Sequence, residues 1–334
     1  RYRVAGFDSL TLQQKKLVYY LSEAALQGRD ILFDQNGKYN LQIRRLLETL
    51  YVHFTGDRTE EPFLALEVYL KRVWFSNGIH HHYGCDKFVP GFSAEYLKNL
   101  ILHTDVSLLP LESGETVEAM CDKLFPVIFH PEVMPKRVNQ NDGEDLVETS
   151  AANYYEGVTQ QEAEAFYAAQ KAQGDAEHPV MYGMNSRLVK KDGVIQEEVW
   201  KVGGLYGKAI EKIIGWLHRA EEVAENDSQR QVIRLLVAFY QTGDLKLFDD
   251  YSIQWLKDTA SRVDFVNGFI ESYGDPLGMK ASWESIVNFK DLEATRRTEL
   301  ISSNAQWFED HSPVNPSFKK ERVKGVSAKV ITAA

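Results

Sequence analysis

Apolar residues recur every three or four positions along much of this chain, and each recurrence predicts a helix. Leu17, Tyr20, Leu21, Ala24 and Ala25 form one face behind a cap at Ser9 or Thr11, and Gly28 stops that helix. Asp34-Gln-Asn-Gly37 reads as a turn. From Asn40, a second helix puts Ile43, Leu46, Leu47, Leu50 and Tyr51 on one face and Arg44 and Arg45 on the other. A third runs from about Pro62, a favoured first-turn residue, to Trp74 or Phe75. Three amphipathic helices with short links predict a helical subdomain. Two more are expected at about 93–103 and 114–125, the second ended by Pro126. A capping box of Thr159 and Glu162 opens another at about 159–172.

The texture changes after Gln173. Val180–Met184 and Val194–Val202 are strand-like runs, with a hairpin turn at Lys191-Asp-Gly193 between them. Helices follow at about 205–223, 227–241 and 244–257. Val263 to Tyr273 is then a strand of β-formers, closed by the punctuation of Gly274-Asp275-Pro276 and Gly278. Trp283 to Phe308 reads as one long helix carrying Ile286, Phe289, Leu292, Leu300 and Trp307. Val323, Val326, Val330 and Ile331 suit a last strand paired with the 263–273 run. The expected fold is α+β, predominantly helical with a small β-sheet or barrel unit. It divides into a mainly helical subdomain at 1–172 and a mixed α+β subdomain at 173–334.

Composition narrows the function classes. The chain has 334 residues, 44% hydrophobic and 26% charged, which is ordinary globular usage. A net charge of -10 argues against nucleic acid and anionic membrane surfaces, and favours cationic ligands such as a peptide amino terminus. The two Cys, Cys85 and Cys121, form no CxxC pair and fit a reducing, cytoplasmic setting. No apolar run reaches the ~18 residues of a membrane helix.

The residues with the most specific chemistry close the 263–273 strand. With a period of two, Asn267, Phe269, Glu271 and Tyr273 would share one face. A cleft carboxylate such as Glu271 holds a ligand ammonium by a charge-assisted hydrogen bond. A phenol such as Tyr273, titrating near ~10, is a donor at neutral pH and can stabilise a developing oxyanion. The competing reading makes Glu271 a surface ion-pair partner and Tyr273 a half-buried edge residue. Elsewhere, His80-His-His82 invites a metal, but only His80 and His82 could share a strand face and no carboxylate or thiolate pattern supports them. A loop or cleft wall is the alternative there. Tyr154 and Tyr155 either line a site or pack. Gly203-Gly204 lacks the spacing of a phosphate loop, and no Gly-x-Ser-x-Gly elbow is present.

Gly268-Phe-Ile-Glu-Ser-Tyr273 with Asp275-Pro276 and Gly278 resembles the signature of the dipeptidyl peptidase III family of zinc peptidases. Trp255 and Asp258, the Tyr206–Leu217 helix, Asn185-Ser-Arg-Leu188 and Asp86-Lys-Phe-Val-Pro90 resemble further landmarks of that family. The likeness runs in order through most of the chain and is nearest the bacterial branch, as in Bacteroides. It implies a two-lobed, zinc-dependent exopeptidase that removes dipeptides from short peptides. In it Glu271 would bind the substrate amino group and the catalytic Tyr273 would face the oxyanion. Gly274 departs from the charged residue of animal members. The family's His-Glu-x-x-Gly-His motif is missing, since none of the nine His is followed by Glu. The chain is therefore expected to be an amino-terminal, substrate-binding lobe, inactive alone. Its zinc lobe would lie beyond 334, leaving no metal ligand here. A non-catalytic peptide-binding or scaffold protein is the rival reading.

Overall fold

The computed structural model describes residues 3–324 and 330–334. Its architecture is α+β, with helices far outnumbering strands. Helix α1, Leu12–Gln27, starts at a capping box in which Thr11 and Gln14 satisfy each other's backbone amides. It ends at Gly28, and the chain re-enters a helix at once as α2, Arg29–Gln35, which buries Ile31 and Phe33. A side chain at Gly28 would sit 2.1 Å from the Trp283 indole, so the α1–α2 corner closes onto the sheet only with glycine there.

Helices α3, Asn40–His53, and α4, Glu61–Ser76, bury the apolar faces expected of them. Arg44 departs from expectation. It is buried, with its guanidinium 4.5 Å from the centre of the Phe33 ring and 2.8 Å from Asp30. Helices α5, Ala94–Leu102, and α6, Val117–Phe129, are capped by Ser93 and Thr116. Pro126 lies inside α6 rather than ending it. The carbonyl that loses its partner belongs to exposed Asp122, and one further turn buries Val127 and Ile128. These helices enclose a core around Leu46, Leu66, Tyr69, Leu97, Met120 and Leu124.

A three-stranded sheet joins β1, Tyr155–Glu156, to β2, Ser186–Lys191, and β3, Val194–Val199, with α7, Gln160–Gln173, between β1 and β2. The β2–β3 hairpin turns on Asp192 and Gly193, both at positive φ. Its first arm is Ser186–Lys191, not Val180–Met184. That earlier run is a turn, with Gly183 at φ +87°.

Helices α8, Gly207–Glu222, α9, Asp227–Thr242, and α10, Leu245–Lys257, pack with α1 over β4, Val263–Glu271. The expected long helix from Trp283 to Phe308 does not form. Its first part is β5, Ser282–Lys290, antiparallel to β4. Asp291 then caps α11, Leu292–Ser303, which is followed by α12, Ala305–His311. Trp283, Val287 and Phe289 alternate inward, and burial against β4 decides for the strand. Strand β6, Ile331–Ala333, adds to β5 rather than to β4, giving the order β4-β5-β6. Val323 belongs to no strand, and Val326 lies outside the described residues.

Candidate functional site

The end of β4 is set by a bulge. Up to Phe269 the strand pairs residue by residue with β5, Phe269 opposite Trp283. Glu271 is then opposite Ser282, so Ile270 is the extra residue. One inserted residue reverses the faces. Asn267 and Phe269 point into the core, where Asn267 accepts a 2.5 Å hydrogen bond from Tyr240 and Phe269 meets Trp200 at 4.7 Å. Glu271 instead joins the outer face of Ser282 and Glu284. The expectation that Asn267, Phe269, Glu271 and Tyr273 share one face is corrected accordingly. The first two are buried, and Glu271 and Tyr273 are exposed, Tyr273 to 72%.

Tyr273 and Glu284 line a cavity of about 900 Å³ whose other wall includes His82, Tyr83, Cys85, Lys136 and Arg137. Arg137 is buried and fixed by hydrogen bonds to Asn36 Oδ1 (3.0 Å) and the His82 carbonyl (3.1 Å). Among the described residues the carboxylates of Glu271 and Glu284 and the Tyr273 hydroxyl have no hydrogen-bond or ion-pair partner. Burial raises the Tyr273 pKa, and the charges of Glu284 and Glu271 add to it against Arg137, so the phenol is a protonated donor at neutral pH. Burial and the neighbouring Glu271 also raise the Glu284 carboxyl. Tyr273 and Glu284 therefore present one donor and one open acceptor to the cavity, and Glu271 is a second open acceptor on the sheet face that carries Glu284.

The loop behind this wall, residues 272–280, is organised by Asp275. Its carboxylate accepts the amides of Leu277 (3.3 Å), Met279 (2.7 Å) and Lys280 (2.8 Å) and the hydroxyl of Tyr155 (3.0 Å). Lys280 is fully buried and reaches Tyr167 and Ser186. Tyr155 is thus part of a scaffold and Tyr154 is fully buried, so the packing reading holds for both. Other resemblance landmarks are also structural. Trp255 Nε1 donates to Asp264 (2.9 Å), Asp258 accepts from Ser261 Oγ (2.6 Å), and Arg187 binds Glu198 (2.7 Å).

The three consecutive histidines do not act together. His80 is buried, with Nε2 on the Met134 carbonyl (2.8 Å), and burial lowers its pKa to about 4, which keeps it neutral. His81 Nδ1 accepts the amides of Tyr83 and Gly84, and His82 is a cavity wall. Among the described residues no group of three or more His, Cys, Asp or Glu is arranged to hold a metal ion, so the donor set for zinc does not fit here.

Sequence patterns do not single out Glu284, Arg137 or Lys280. Glu284 would have emerged once β5 was read as a strand paired with β4. Arg137 and Lys280 carry no local signal, because their burial comes from segments far apart in the chain.

Comparison with known proteins adds a family. The profile of peptidase family M49 matches residues 151–326, which include Glu271, Tyr273, Asp275 and Glu284. Dipeptidyl peptidase 3 of Rattus norvegicus is 22% identical over 346 residues, covering 95% of this chain and 47% of that protein. The Dictyostelium discoideum dipeptidyl peptidase 3 is 23% identical with the same coverage. The structure of DPP III from Caldithrix abyssi superposes with a TM-score of 0.66 at 17% identity, covering 98% of this chain and 49% of that one. DPP III from Corallococcus sp. strain EGB gives 0.61 at 16%, covering 100% and 49%. Those two likenesses are of fold. The chain spans about half the length of the curated relatives it matches.

Proposed function

The chain belongs to peptidase family M49, and from that premise we propose that it supplies the substrate-binding side of a cleft that removes dipeptides from the amino terminus of short peptides. One observation carries the proposal. The bulge in β4 turns Glu271 onto the face of Glu284, and Tyr273 and Glu284 line the same 900 Å³ cavity, with all three polar groups open. Glu271, with Glu284 diagonal to it, holds the ammonium of the substrate's first residue, and a carboxylate pair is suited to that charge. Anchoring the amino terminus fixes how many residues extend to the scissile bond, which is what makes an exopeptidase. Tyr273 donates its phenolic proton in a hydrogen bond to the oxygen that gains charge as the carbonyl becomes tetrahedral. The zinc centre expected of the family comes, on this reading, from outside these residues.

A second reading is favoured by the lack of a zinc donor set among the described residues: the chain binds peptides without cutting them. Mass analysis of products from a tetrapeptide separates the two, using an active M49 polypeptide that includes this chain beside the 334 residues alone. The proposal expects free amino-terminal dipeptide from the longer protein only. Release of single amino acids would overturn it, and binding without any cleavage would establish the second reading.

A further inference from the structure

Tyr273 has nothing of its own to hold it. Its side chain is exposed and its hydroxyl has no partner among the described residues, so its position is inherited from the 272–280 loop. That loop is tied at two points. Asp275 collects three loop amides and the Tyr155 hydroxyl. The second tie is at the far end. The Lys280 side chain, with no exposed surface, contacts the hydroxyl of Tyr167 on α7 and lies 3.1 Å from Ser186 Oγ on β2.

The hydrogen-bond directions in that second tie agree with one another. Tyr167 donates to Glu197 of β3 (2.9 Å), and Ser186 donates to the same oxygen (2.5 Å). Each hydroxyl spends its proton on Glu197 and turns a lone pair toward the ammonium. Gln170 of α7 fills the other Glu197 oxygen at 3.2 Å. The Tyr167 and Tyr155 rings lie 4.4 and 5.6 Å from Lys280 Nζ, and the two charges that face it are Glu197 and Asp275. The Lys280 amide is bound by Asp275 while its side chain is bound by α7 and β2, so one residue joins both ties. Burying an ammonium is costly, and an apolar side chain of similar length would fill the same space more cheaply.

We propose that Lys280 is a positioning residue for Tyr273: its ammonium clamps the 272–280 loop to α7 and the β2–β3 hairpin and so fixes where the phenol stands in the cavity. This rests on the reading of Tyr273 given above. The test is amide hydrogen exchange of this chain, resolved over residues 263–290, for Lys280→Met and Tyr167→Phe. Because the readout needs no substrate, it fails only if the clamp is wrong, whereas failure of the product analysis removes the reaction. The clamp predicts that exchange within 272–280 rises by ~10-fold or more in both variants while 263–271 stays at the parent rate. Unchanged exchange in 272–280 overturns it. So does an equal rise along the whole hairpin, or global unfolding of both variants, since either would make Lys280 a general core residue.

Discussion

Two regions of the β4–β5 hairpin, less than fifteen residues apart, treat polar side chains in opposite ways. On the inner side, Asp275 and Lys280 are buried and bonded on every side that matters. On the outer side, where Tyr273 and Glu284 line the cavity, the side chains of Glu271, Tyr273 and Glu284 are open to solvent or to one another and bonded to nothing described. Folding closes the hydrogen bonds it needs, because an unsatisfied buried group is costly. Groups left open beside a cavity, with like charges placed as neighbours, are those a ligand can complete. The difference separates residues that hold the loop from residues left open, which the proposed function gives to the substrate.

The contrast can be broken by substitution. The largest effect is expected at Tyr273. In an active polypeptide containing this chain, Tyr273→Phe should lower kcat ~10²-fold, the scale of one lost oxyanion donor, and leave the melting temperature almost unmoved. An unchanged kcat would place Tyr273 with the bystanders.

Lys280 should show itself through pH. Burial pushes its pKa down to about 8 against the opposing charges of Glu197 and Asp275. A base so depressed binds fewer protons folded than unfolded between about 8 and the usual 10.5 of lysine. Stability therefore rises as pH climbs through that window, by on the order of 3 kcal/mol. Denaturant unfolding at pH 7.5 and 10.5 should show this rise in the parent chain relative to Lys280→Met, and parallel profiles would refute it.

Asp275→Asn keeps the shape and weakens the acceptor for three amides and a phenol. A loss of about 2 kcal/mol is expected in chemical denaturation. A neutral result would mean that the loop is held without it. The smallest effect belongs to Glu284→Gln, which removes one of two like charges on adjacent strands and should raise the melting temperature by ~1 °C. A fall in melting temperature would reveal a structural partner for Glu284.

Much of the helical scaffold was legible in the sequence because its signals are local. Thr11 and Thr159 announce their helices through capping boxes, Gly28 ends α1, and the apolar faces of α3, α8 and α9 follow their periodicity. What was misread depends on partners distant in the chain. Ile286, Phe289 and Leu292 match helical spacing while Trp283, Val287 and Phe289 match a period of two, and only pairing with β4 decides for β5. Without that pairing neither Glu284 nor the bulge is visible, so residue type and motif point to Glu271 while the period of two gives it the wrong face. Periodicity places Arg44 outside because it carries no sign of its partners Phe33 and Asp30. Pro126 taken alone predicts a stop, because its preference is local and the core that α6 continues into is not.

On the proposed function, the open side of the hairpin receives a peptide's amino terminus at Glu271. Calorimetric titration of this chain with a tetrapeptide and with its N-acetylated form tests it most directly. The free amine should bind at least ~10-fold more tightly, a difference of about 1.4 kcal/mol, and Glu271→Ala should abolish the preference. Equal affinity for the two peptides, or a preference that survives Glu271→Ala, would contradict it.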